Sequence, residues 1–222
     1  MNYELNFRVA LFDLDGTLFD TEGQYSVFWG EMGRRFHPEI PHFDQIIKGT
    51  TLKQIYERHF PDPATQAIIT PLLQAFEAQM QYTFFPGVRA FLDDLRSHGV
   101  RCAVVTSSDQ KKMQNVYRSM PQFQSLFDRI LTAEDFRASK PNPDCYLRGA
   151  AAFGAQLGEC VVFEDAYSGL EAGMSSGIFT IGIATGHTPE EIADKCHHVI
   201  TTFEGLTHEQ VEQWMQGKSH EM

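Results

Sequence analysis

Four short runs of consecutive apolar residues stand out along the chain, and each run ends abruptly in small or acidic residues. The runs cover residues 9–12, 102–105, 160–163 and 179–183. Continuous rather than alternating hydrophobicity predicts parallel strands that are covered on both faces. Helical patterns separate these runs at residues 88–98, 110–120, 143–153 and 167–176. This alternation predicts an α/β fold with right-handed crossovers and an open parallel sheet.

Residues 20–85 have a different hydrophobic pattern, because strand-like runs are absent and apolar side chains recur at helical spacing. Leu72, Leu73, Phe76 and Met80 illustrate the spacing, and Phe85 precedes a Pro-Gly turn that leads back to the α/β pattern. The pattern predicts an α/β core formed by residues 1–19 and 86–222, with an all-helical cap inserted at residues 20–85.

Two sets of residues have the chemistry of helix starts. Asn142 and Pro143 are a capping residue followed by a proline suited to the first helical turn. Thr188 is followed by Pro189 and, three positions on, by Glu191, which is the spacing of a capping box. Both predict that a helix begins at these positions.

The composition narrows the possible partners. The 222 residues include 18 Lys and Arg against 29 Asp and Glu, a formal charge of −11. Such a balance argues against nucleic acid, because affinity for it comes mostly from Lys and Arg on phosphates. No apolar stretch approaches a membrane span, and residues 1–8 lack the pattern of a signal peptide. Four distant cysteines indicate neither a zinc site nor disulfides. We therefore expect a cytoplasmic globular protein without membrane or nucleic-acid partners.

Six polar side chains follow three of the predicted strands. They are Asp13 and Asp15 after the first, Thr106 and Ser107 after the second, and Glu164 and Asp165 after the third. In open parallel sheets, ligands bind beyond the carboxyl ends of the strands, so these side chains should converge. Crowded carboxylates raise one another's pKa unless a cation shares them, and an all-oxygen set suits Mg²⁺. The sequence therefore predicts a magnesium site at this edge.

A phosphate group is the expected companion of such a magnesium ion, which usually completes its shell with waters and substrate phosphate. The remaining phosphate oxygens need donors. Thr106, the backbone N–H groups after Ser108, and Lys140 could supply them. Two prolines, Pro141 and Pro143, constrain the backbone beside Lys140.

Four ordered motifs complete this pattern. They are Asp13-x-Asp15-Gly16-Thr17, an apolar strand ending in Thr106, Lys140-Pro-x-Pro, and Glu164-Asp165. The set resembles that of the haloacid dehalogenase (HAD) superfamily of phosphotransferases. The resemblance extends from Phe7 to about Ile200 and includes a helical cap, as in the β-phosphoglucomutase-like and phosphoglycolate-phosphatase-like branches. It implies a Rossmann-like parallel-sheet core with an inserted all-α cap domain.

The resemblance also implies catalytic roles. Asp13 becomes the nucleophile that forms an aspartyl-phosphate, and Asp15 the acid that protonates the leaving oxygen and then the base that activates water. Thr106 and Lys140 would hold the transferring phosphoryl oxygens, with Ser107 and Ser108 as further phosphate-binding candidates.

The metal ligands follow from the same resemblance. Asp165, the Asp13 side chain and the Asp15 backbone carbonyl would ligate Mg²⁺, with Glu164 ligating directly or through water. Plainer interpretations stay open: a common strand-to-turn connection for Asp13 and Asp15, a supporting role for Glu164, helix entry at Thr106 and Ser107, and a solvated Lys140.

Position 15 distinguishes the branches of this superfamily, since a carboxylate there implies phosphate-ester hydrolysis or phosphomutase chemistry. Tyr25 stands where the mutase branch carries a histidine, and this departure favours a phosphatase. Leu52 replaces a cap arginine, and Ala166 follows the acidic pair where many relatives carry serine or aspartate. The expected substrate is thus a small phosphorylated metabolite such as a sugar phosphate, because a closing cap excludes polymers.

The cap supplies the specificity candidates, Tyr25, Trp29, Lys48 and Lys53, although Trp29 equally suits the cap interior and the lysines its surface. Three other functions stay open at this stage: a β-phosphoglucomutase-type mutase, a phospho-aspartate switch, and a non-catalytic binding module. The oligomeric state is also open, with a monomer as the expectation.

Overall fold

A parallel β-sheet forms the centre of the protein. The computed structural model describes residues 7–47 and 50–218, and within them the sheet has six strands. They are β1 (Val9–Phe12), β2 (Arg101–Val105), β3 (Arg129–Leu131), β4 (Cys160–Glu164), β5 (Phe179–Ile183) and β6 (His198–Ile200). All neighbours pair in parallel in the order β3-β2-β1-β4-β5-β6. The predicted α/β fold with a parallel sheet is confirmed.

Ten α-helices accompany the sheet within the described residues. They are α1 (Glu22–Phe36), α2 (Phe43–Ile46), α3 (Leu52–His59), α4 (Pro63–Glu77), α5 (Val88–Ser97), α6 (Gln110–Ser119), α7 (Asp144–Ala151), α8 (Tyr167–Ser176), α9 (Pro189–Ile192) and α10 (His208–Lys218). The four helices predicted in the core are α5 to α8, with ends within two residues of the expected ones. None of the described helices is long and apolar enough to cross a membrane.

Strands β3 and β6 were not predicted. Each has three residues, is at most half-buried and lies at an edge of the sheet. Such short segments carry little hydrophobic signal of their own, and pairing with β2 and β5 is what makes them strands. The four predicted strands form the interior of the sheet, where burial on both faces requires continuous apolar runs.

Side chains of β1 alternate between two hydrophobic clusters, one on each face of the sheet. Ala10 and Phe12 belong to a cluster that includes α5, whereas Val9 and Leu11 belong to a cluster that includes α7. Because β1 lies between β2 and β4, its carboxyl end opens at the middle of the sheet edge. The residues after Phe12 therefore lie where ligands bind in parallel sheets.

Helices α1 to α4 pack around a hydrophobic cluster of their own. Its buried members are Phe28, Trp29, Met32, Phe43, Ile47, Ile55, Phe60, Ile69 and Leu73. A separate apolar centre is the usual property of a domain. It supports the division into a core at residues 1–19 and 86–222 and a cap at residues 20–85, which stays a proposal.

Of the two predicted helix starts, the one at Thr188 is confirmed by a complete capping box with Glu191 at the start of α9. The other is one residue too early. Helix α7 begins at Asp144 with Pro143 as its N-cap residue, while Asn142 Oδ1 accepts a hydrogen bond from the backbone N–H of Asp144 at 3.0 Å. The asparagine thus satisfies a free N–H group from one position further out.

Candidate active site

The turn after β1 presents two aspartates at the sheet edge. The N–H of Asp13 donates to Phe163 O at 3.0 Å and continues the pairing with β4. Gly16 then reverses the chain with a φ of +83°, and a Cβ on it would lie 2.2 Å from Asp165 Oδ2. Only glycine fits this backbone conformation and this approach. The Asp-x-Asp-Gly spacing therefore serves to bring Asp165 against the turn.

Lys140 lies at the centre of the buried charges. Its Nζ donates to Asp13 Oδ1 at 2.5 Å, to Glu164 Oε1 at 2.7 Å and to Val105 O at 3.2 Å. The three acceptors use the three donors of the ammonium group. The side chain is only 2% exposed, and the Asp13 and Glu164 carboxylates raise its pKa well above the ordinary value despite burial. Lys140 is thus a fixed cation within the site and not a solvated surface lysine.

Glu164 is held from both sides of its carboxylate. Oε1 accepts from Lys140 and from the Tyr146 hydroxyl at 3.1 Å, and Oε2 accepts from the backbone N–H groups of Asp165 and Ala166 at 2.8 and 2.9 Å. Gly169 on α8 makes room for it, since a Cβ there would lie 1.6 Å from Oε1. These four hydrogen bonds favour a supporting role for Glu164, the alternative left open by the sequence.

Three buried carboxylates come close enough together to share a cation. One oxygen each of Asp13, Glu164 and Asp165 can be chosen so that all lie within 4.8 Å of one another. Burial raises the pKa of Asp13 to about 7 against the opposing effect of Lys140. Burial, followed by the charges of Glu164 and Asp13, raises that of Asp165 well above its ordinary value. An oxygen-only donor set with excess negative charge fits Mg²⁺.

Asp15 lies in a different environment from Asp13, two residues away. Its Oδ1 accepts from Thr21 Oγ1 at 2.6 Å, and its Oδ2 accepts from Ser108 Oγ at 3.1 Å and from Lys112 Nζ. Burial alone would raise the pKa of Asp15, but the Lys112 ammonium and the hydroxyl donors outweigh it and lower the pKa. The side chain is therefore held as a carboxylate beside a single cation.

A cavity of about 670 Å³ opens above these side chains, between the sheet edge and helices α1 to α4. Both Asp13 and Asp15 line it. Gln54 at the start of α3 contacts the core directly, because its Nε2 donates to the backbone carbonyl of Lys140 at 3.1 Å. The cavity is thus bounded below by the reactive groups and above by helical side chains.

The described phosphate-binding candidates, Tyr25, Thr106, Ser107 and Ser108, all line the cavity, but they differ in the contacts they already make. Thr106 and Ser107 line the cavity, and Thr106 Oγ1 accepts from the Ser108 N–H at 3.0 Å. The hydroxyl of Ser108 is engaged by Asp15. Tyr25 also lines the cavity, with its hydroxyl donating to Glu77 Oε1 at 2.9 Å. Phosphate contact by these residues stays a prediction.

The remaining specificity candidates differ in burial and in position. Trp29 is buried in the cap cluster and also lines the cavity, so both interpretations of it apply. Lys53 lines the cavity at its exposed rim and pairs with Glu57 at 3.8 Å. Lys48 lies outside the described residues.

Sequence reasoning missed four residues that hold the site: Thr21, Glu77, Lys112 and Tyr146. Lys112 lies in the first turn of α6, where the N-cap residue Asp109 accepts from its N–H at 2.7 Å. A helix start directly after a strand end was a usable signal. It could not separate Lys112 from its neighbour Lys111, because adjacent helical residues point about 100° apart and only packing selects one.

Comparison with known proteins agrees with this arrangement. The family model for haloacid dehalogenase-like hydrolases matches residues 10–183. Hexitol phosphatase A of Escherichia coli is 34% identical over 189 residues, which cover 81% of this chain and 84% of that protein. The validoxylamine A 7'-phosphate phosphatase of Streptomyces hygroscopicus subsp. limoneus is 29% identical over 197 residues, which cover 85% of this chain and 91% of that protein.

A solved structure shares the fold over nearly the whole chain. It is a HAD hydrolase of family IA, variant 3, from Entamoeba histolytica, with a TM-score of 0.81 and 25% identity, and the match covers 94% of this chain and 99% of that one. The family model covers more than half of the chain and includes the turn after β1, Lys140 and Asp165. The protein belongs to the haloacid dehalogenase-like hydrolases.

Proposed function

We propose that the protein is a Mg²⁺-dependent phosphatase that hydrolyses a phosphomonoester of a small metabolite through an aspartyl-phosphate on Asp13. The observation that carries this proposal is that Asp13 and Asp15, two residues apart, lie in different electrostatic environments at one cavity. Asp13 contacts Lys140 among excess carboxylates, whereas Asp15 faces the same cavity with a lowered pKa. Two carboxylates that face one cavity with different partners can take different roles in a reaction, here the nucleophile for Asp13 and proton transfer for Asp15.

In the first half of the proposed reaction, an Asp13 oxygen attacks phosphorus and the bond to the leaving oxygen breaks. Lys140 offsets the charge of the nucleophile, and Thr106 is placed to donate to a phosphoryl oxygen. Asp15 passes a proton to the leaving oxygen, and a monoanionic phosphate ester brings that proton into the site. The metabolite then leaves as an alcohol.

In the second half, Asp15 acts as a base. Its carboxylate takes a proton from water, the water oxygen attacks phosphorus, and the bond to Asp13 breaks. Asp15 then gives this proton to the departing inorganic phosphate, which restores both carboxylates. The Lys112 ammonium stabilises the charged form of Asp15 that this step requires. The cap helices above the cavity would limit the access of other water.

Magnesium fits the buried oxygen donors of Asp13 and Asp165. The backbone carbonyl of Asp15 would be a third ligand, and Glu164 would orient Lys140 and the N–H groups after β4. When bound, the ion supplies positive charge that screens the anionic phosphate from the anionic nucleophile. Thr17, whose Oγ1 donates to Asp165 Oδ1 at 2.8 Å, would hold that carboxylate in place.

The cavity lining favours a neutral, hydroxyl-rich leaving group. Its described residues include eight acidic side chains and four lysines, of which Lys112 and Lys140 are already paired with carboxylates. Several neutral hydroxyl and amide side chains face the cavity from the cap: Ser26, Thr50, Thr51, Tyr56, Gln66, Thr70 and Gln74. A second anionic group would meet excess negative charge here. One relative is named for hexitol phosphates, whose leaving group is a neutral polyol.

The test is release of inorganic phosphate from a panel of sugar phosphates, polyol phosphates, phosphoglycolate, sugar bisphosphates, nucleotides and pyrophosphate. We expect turnover that requires Mg²⁺ and falls by on the order of 10⁴-fold or more in Asp13→Asn. A variant that kept abundant turnover would exclude the aspartyl-phosphate route. We expect kcat/KM for neutral polyol and sugar monophosphates to exceed that for phosphoglycolate and bisphosphates by at least about tenfold.

The same panel separates the remaining alternatives. A phospho-aspartate switch gives at most one phosphate per chain, and a binding module gives none. A mutase converts β-glucose 1-phosphate to the 6-phosphate with little phosphate released. Steady release of phosphate faster than any isomerisation is the result expected here.

A further inference from the structure

Lys112 contacts both the core and the cap. Its side chain is buried, and its Nζ donates to Asp15 Oδ2. The same Nζ lies 4.5 Å from the ring centroid of Tyr25, which belongs to α1. An ammonium group over an aromatic face is attracted to it, more strongly when both are desolvated. Lys112 therefore joins the proposed proton-transfer group to a cap helix.

The cap side of this contact is itself fixed. The Tyr25 hydroxyl donates to Glu77 Oε1 on α4 at 2.9 Å, so the ring is held between two cap helices. Tyr25 also packs edge-on against Phe76, with 5.7 Å between the ring centroids. The ring can lie under the ammonium group of Lys112 only when α1 and α4 are seated over the core.

Among the three described side-chain donors to Asp15, Lys112 is the only charged one. Thr21 and Ser108 donate neutral hydroxyl hydrogen bonds to Asp15, whereas Lys112 donates a charge-assisted one. Charge-assisted hydrogen bonds are roughly twice as strong as neutral ones. With donors on both oxygens, the plane of the carboxylate is fixed. Loss of Lys112 leaves one weak donor on Oδ2.

We infer that Lys112 is a positioning residue, which holds the Asp15 carboxylate in the orientation for proton transfer when Tyr25 of the seated cap lies against its ammonium group. This inference rests on the proposed phosphatase function. A side chain of α6, and not only the N–H groups at its start, would thus contribute to the reaction. Tyr25 would contribute through its ring and not through its hydroxyl.

The experiment compares Lys112→Met with the native protein on p-nitrophenyl phosphate and glycerol 1-phosphate, both with Mg²⁺. The nitrophenolate leaving group needs no proton, so aspartyl-phosphate formation should persist while its hydrolysis slows. We expect a burst of about one nitrophenolate per active site followed by slow turnover. On glycerol 1-phosphate we expect kcat to fall about tenfold to a hundredfold, with KM changed less than about threefold.

Three variants accompany this one. Lys112→Arg should recover most of the steady rate, because it returns a cation to Asp15. Tyr25→Leu keeps the charges of Lys112 and Asp15 but removes the ring. It should give the same burst, with a fall in kcat of about threefold to tenfold. This variant tests the inference even if Lys112→Met fails to fold. Lys195→Met is the matched control, since Lys195 pairs with Asp194 at 2.6 Å and lies 5.5 Å from the Tyr167 ring centroid at the surface. It should behave as the native protein.

The contrary results are distinct. A native protein that releases no phosphate with Mg²⁺ from p-nitrophenyl phosphate, glycerol 1-phosphate or any ester of the panel overturns the proposed function and this inference with it. An active native protein with unchanged turnover in both Lys112→Met and Tyr25→Leu overturns the inference alone. Slow turnover without a burst also overturns it, because a general structural defect slows formation and hydrolysis of the phosphoenzyme together.

Discussion

The site contains two buried lysine–aspartate pairs that differ in their charge balance. Lys140 contacts Asp13 and Glu164, and Asp165 lies in the same cluster, so one ammonium group faces three carboxylates within the described residues. Lys112 contacts Asp15 alone among the described carboxylates, with hydroxyl groups as the other donors. Both lysines lower the pKa of their aspartate. Burial and the Glu164 charge outweigh Lys140, so the pKa of Asp13 rises, whereas Lys112 and the hydroxyl donors outweigh burial, so the pKa of Asp15 falls.

This difference shows what a buried ion pair does in each place. The Lys140 pair leaves negative charge uncompensated, which is the condition for binding a further cation. The Lys112 pair joins one ammonium group to one carboxylate and holds that carboxylate charged and oriented, with Glu77 as a further acidic neighbour. Environment, and not residue type, assigns the two aspartates to different chemical tasks.

Lys140→Met should have the largest effect on this comparison. Removing the ammonium group leaves Asp13 and Glu164 buried without their shared donor. We expect kcat to fall by on the order of 10²–10³-fold, and the free energy of unfolding to fall by about 3–5 kcal/mol. Phosphate-release assays and denaturant unfolding measure the two effects. Near-native turnover would show that the pair has no part in the reaction.

The two acidic residues after β4 should differ in their effect on the metal. Asp165→Asn removes a proposed ligand, and we expect Mg²⁺ affinity to fall by on the order of 10²-fold or more. Glu164→Gln disturbs residues that orient the site, so a loss of about tenfold is expected. Isothermal titration calorimetry measures both. An equal loss in the two variants would make Glu164 a direct ligand.

The raised pKa of Asp13 predicts how pH affects the metal-free protein. A carboxylate whose pKa rises from 3.8 to about 7 on folding binds more protons in the folded state, so its stabilising contribution is lost as pH increases through this window. Bound Mg²⁺ should offset the loss. We expect the Mg²⁺-induced gain in Tm to be several degrees larger at pH 8 than at pH 5.

Differential scanning fluorimetry on native protein and Asp13→Asn tests this expectation. The variant lacks Asp13 but keeps Asp165, whose pKa is also raised, so its Mg²⁺-induced gain should vary less with pH without becoming constant. A gain in the native protein that is equal at both pH values would contradict the assignment.

Tyr25→Phe should have the smallest effect. It removes the hydrogen bond to Glu77 but keeps the ring beside Lys112. We expect the free energy of unfolding to fall by about 0.5–1.5 kcal/mol, and kcat to change by less than about threefold. Chemical denaturation and steady-state assays measure the two quantities. A tenfold loss of kcat would assign the role to the hydroxyl and not to the ring.

Most of the fold was predictable because its signals are local. The four central strands are continuous apolar runs, and the core helices between them have helical spacing with recognisable ends. Strands β3 and β6 were not predicted, because three half-exposed residues form a strand only by pairing with a neighbouring strand. Hydrophobic periodicity reports burial, and edge segments are buried too little to show it.

Most reactive residues of the candidate site were also predictable, because they follow the ends of strands, whereas Lys140 was found through its motif. Asp13, Thr106 and Asp165 needed only the rule that parallel strands deliver their ends to one edge. The residues that hydrogen-bond to these reactive groups could not be predicted in this way. Tyr146 reaches Glu164 from α7, and Lys112 reaches Asp15 across 97 positions of sequence.

The sequence by itself determined the α/β architecture, the order of the motifs and the carboxylates that gather at the sheet edge. The tertiary structure alone decided which lysine pairs with which aspartate and that Glu164 is occupied by four hydrogen bonds. It also decided that the cap contacts Asp15 directly at Thr21, and that the Tyr25 ring lies against the lysine that pairs with Asp15. Local patterns encode burial and chain direction, whereas a pKa depends on the sum of charges and hydrogen bonds around a group. That sum exists only once distant segments are packed together.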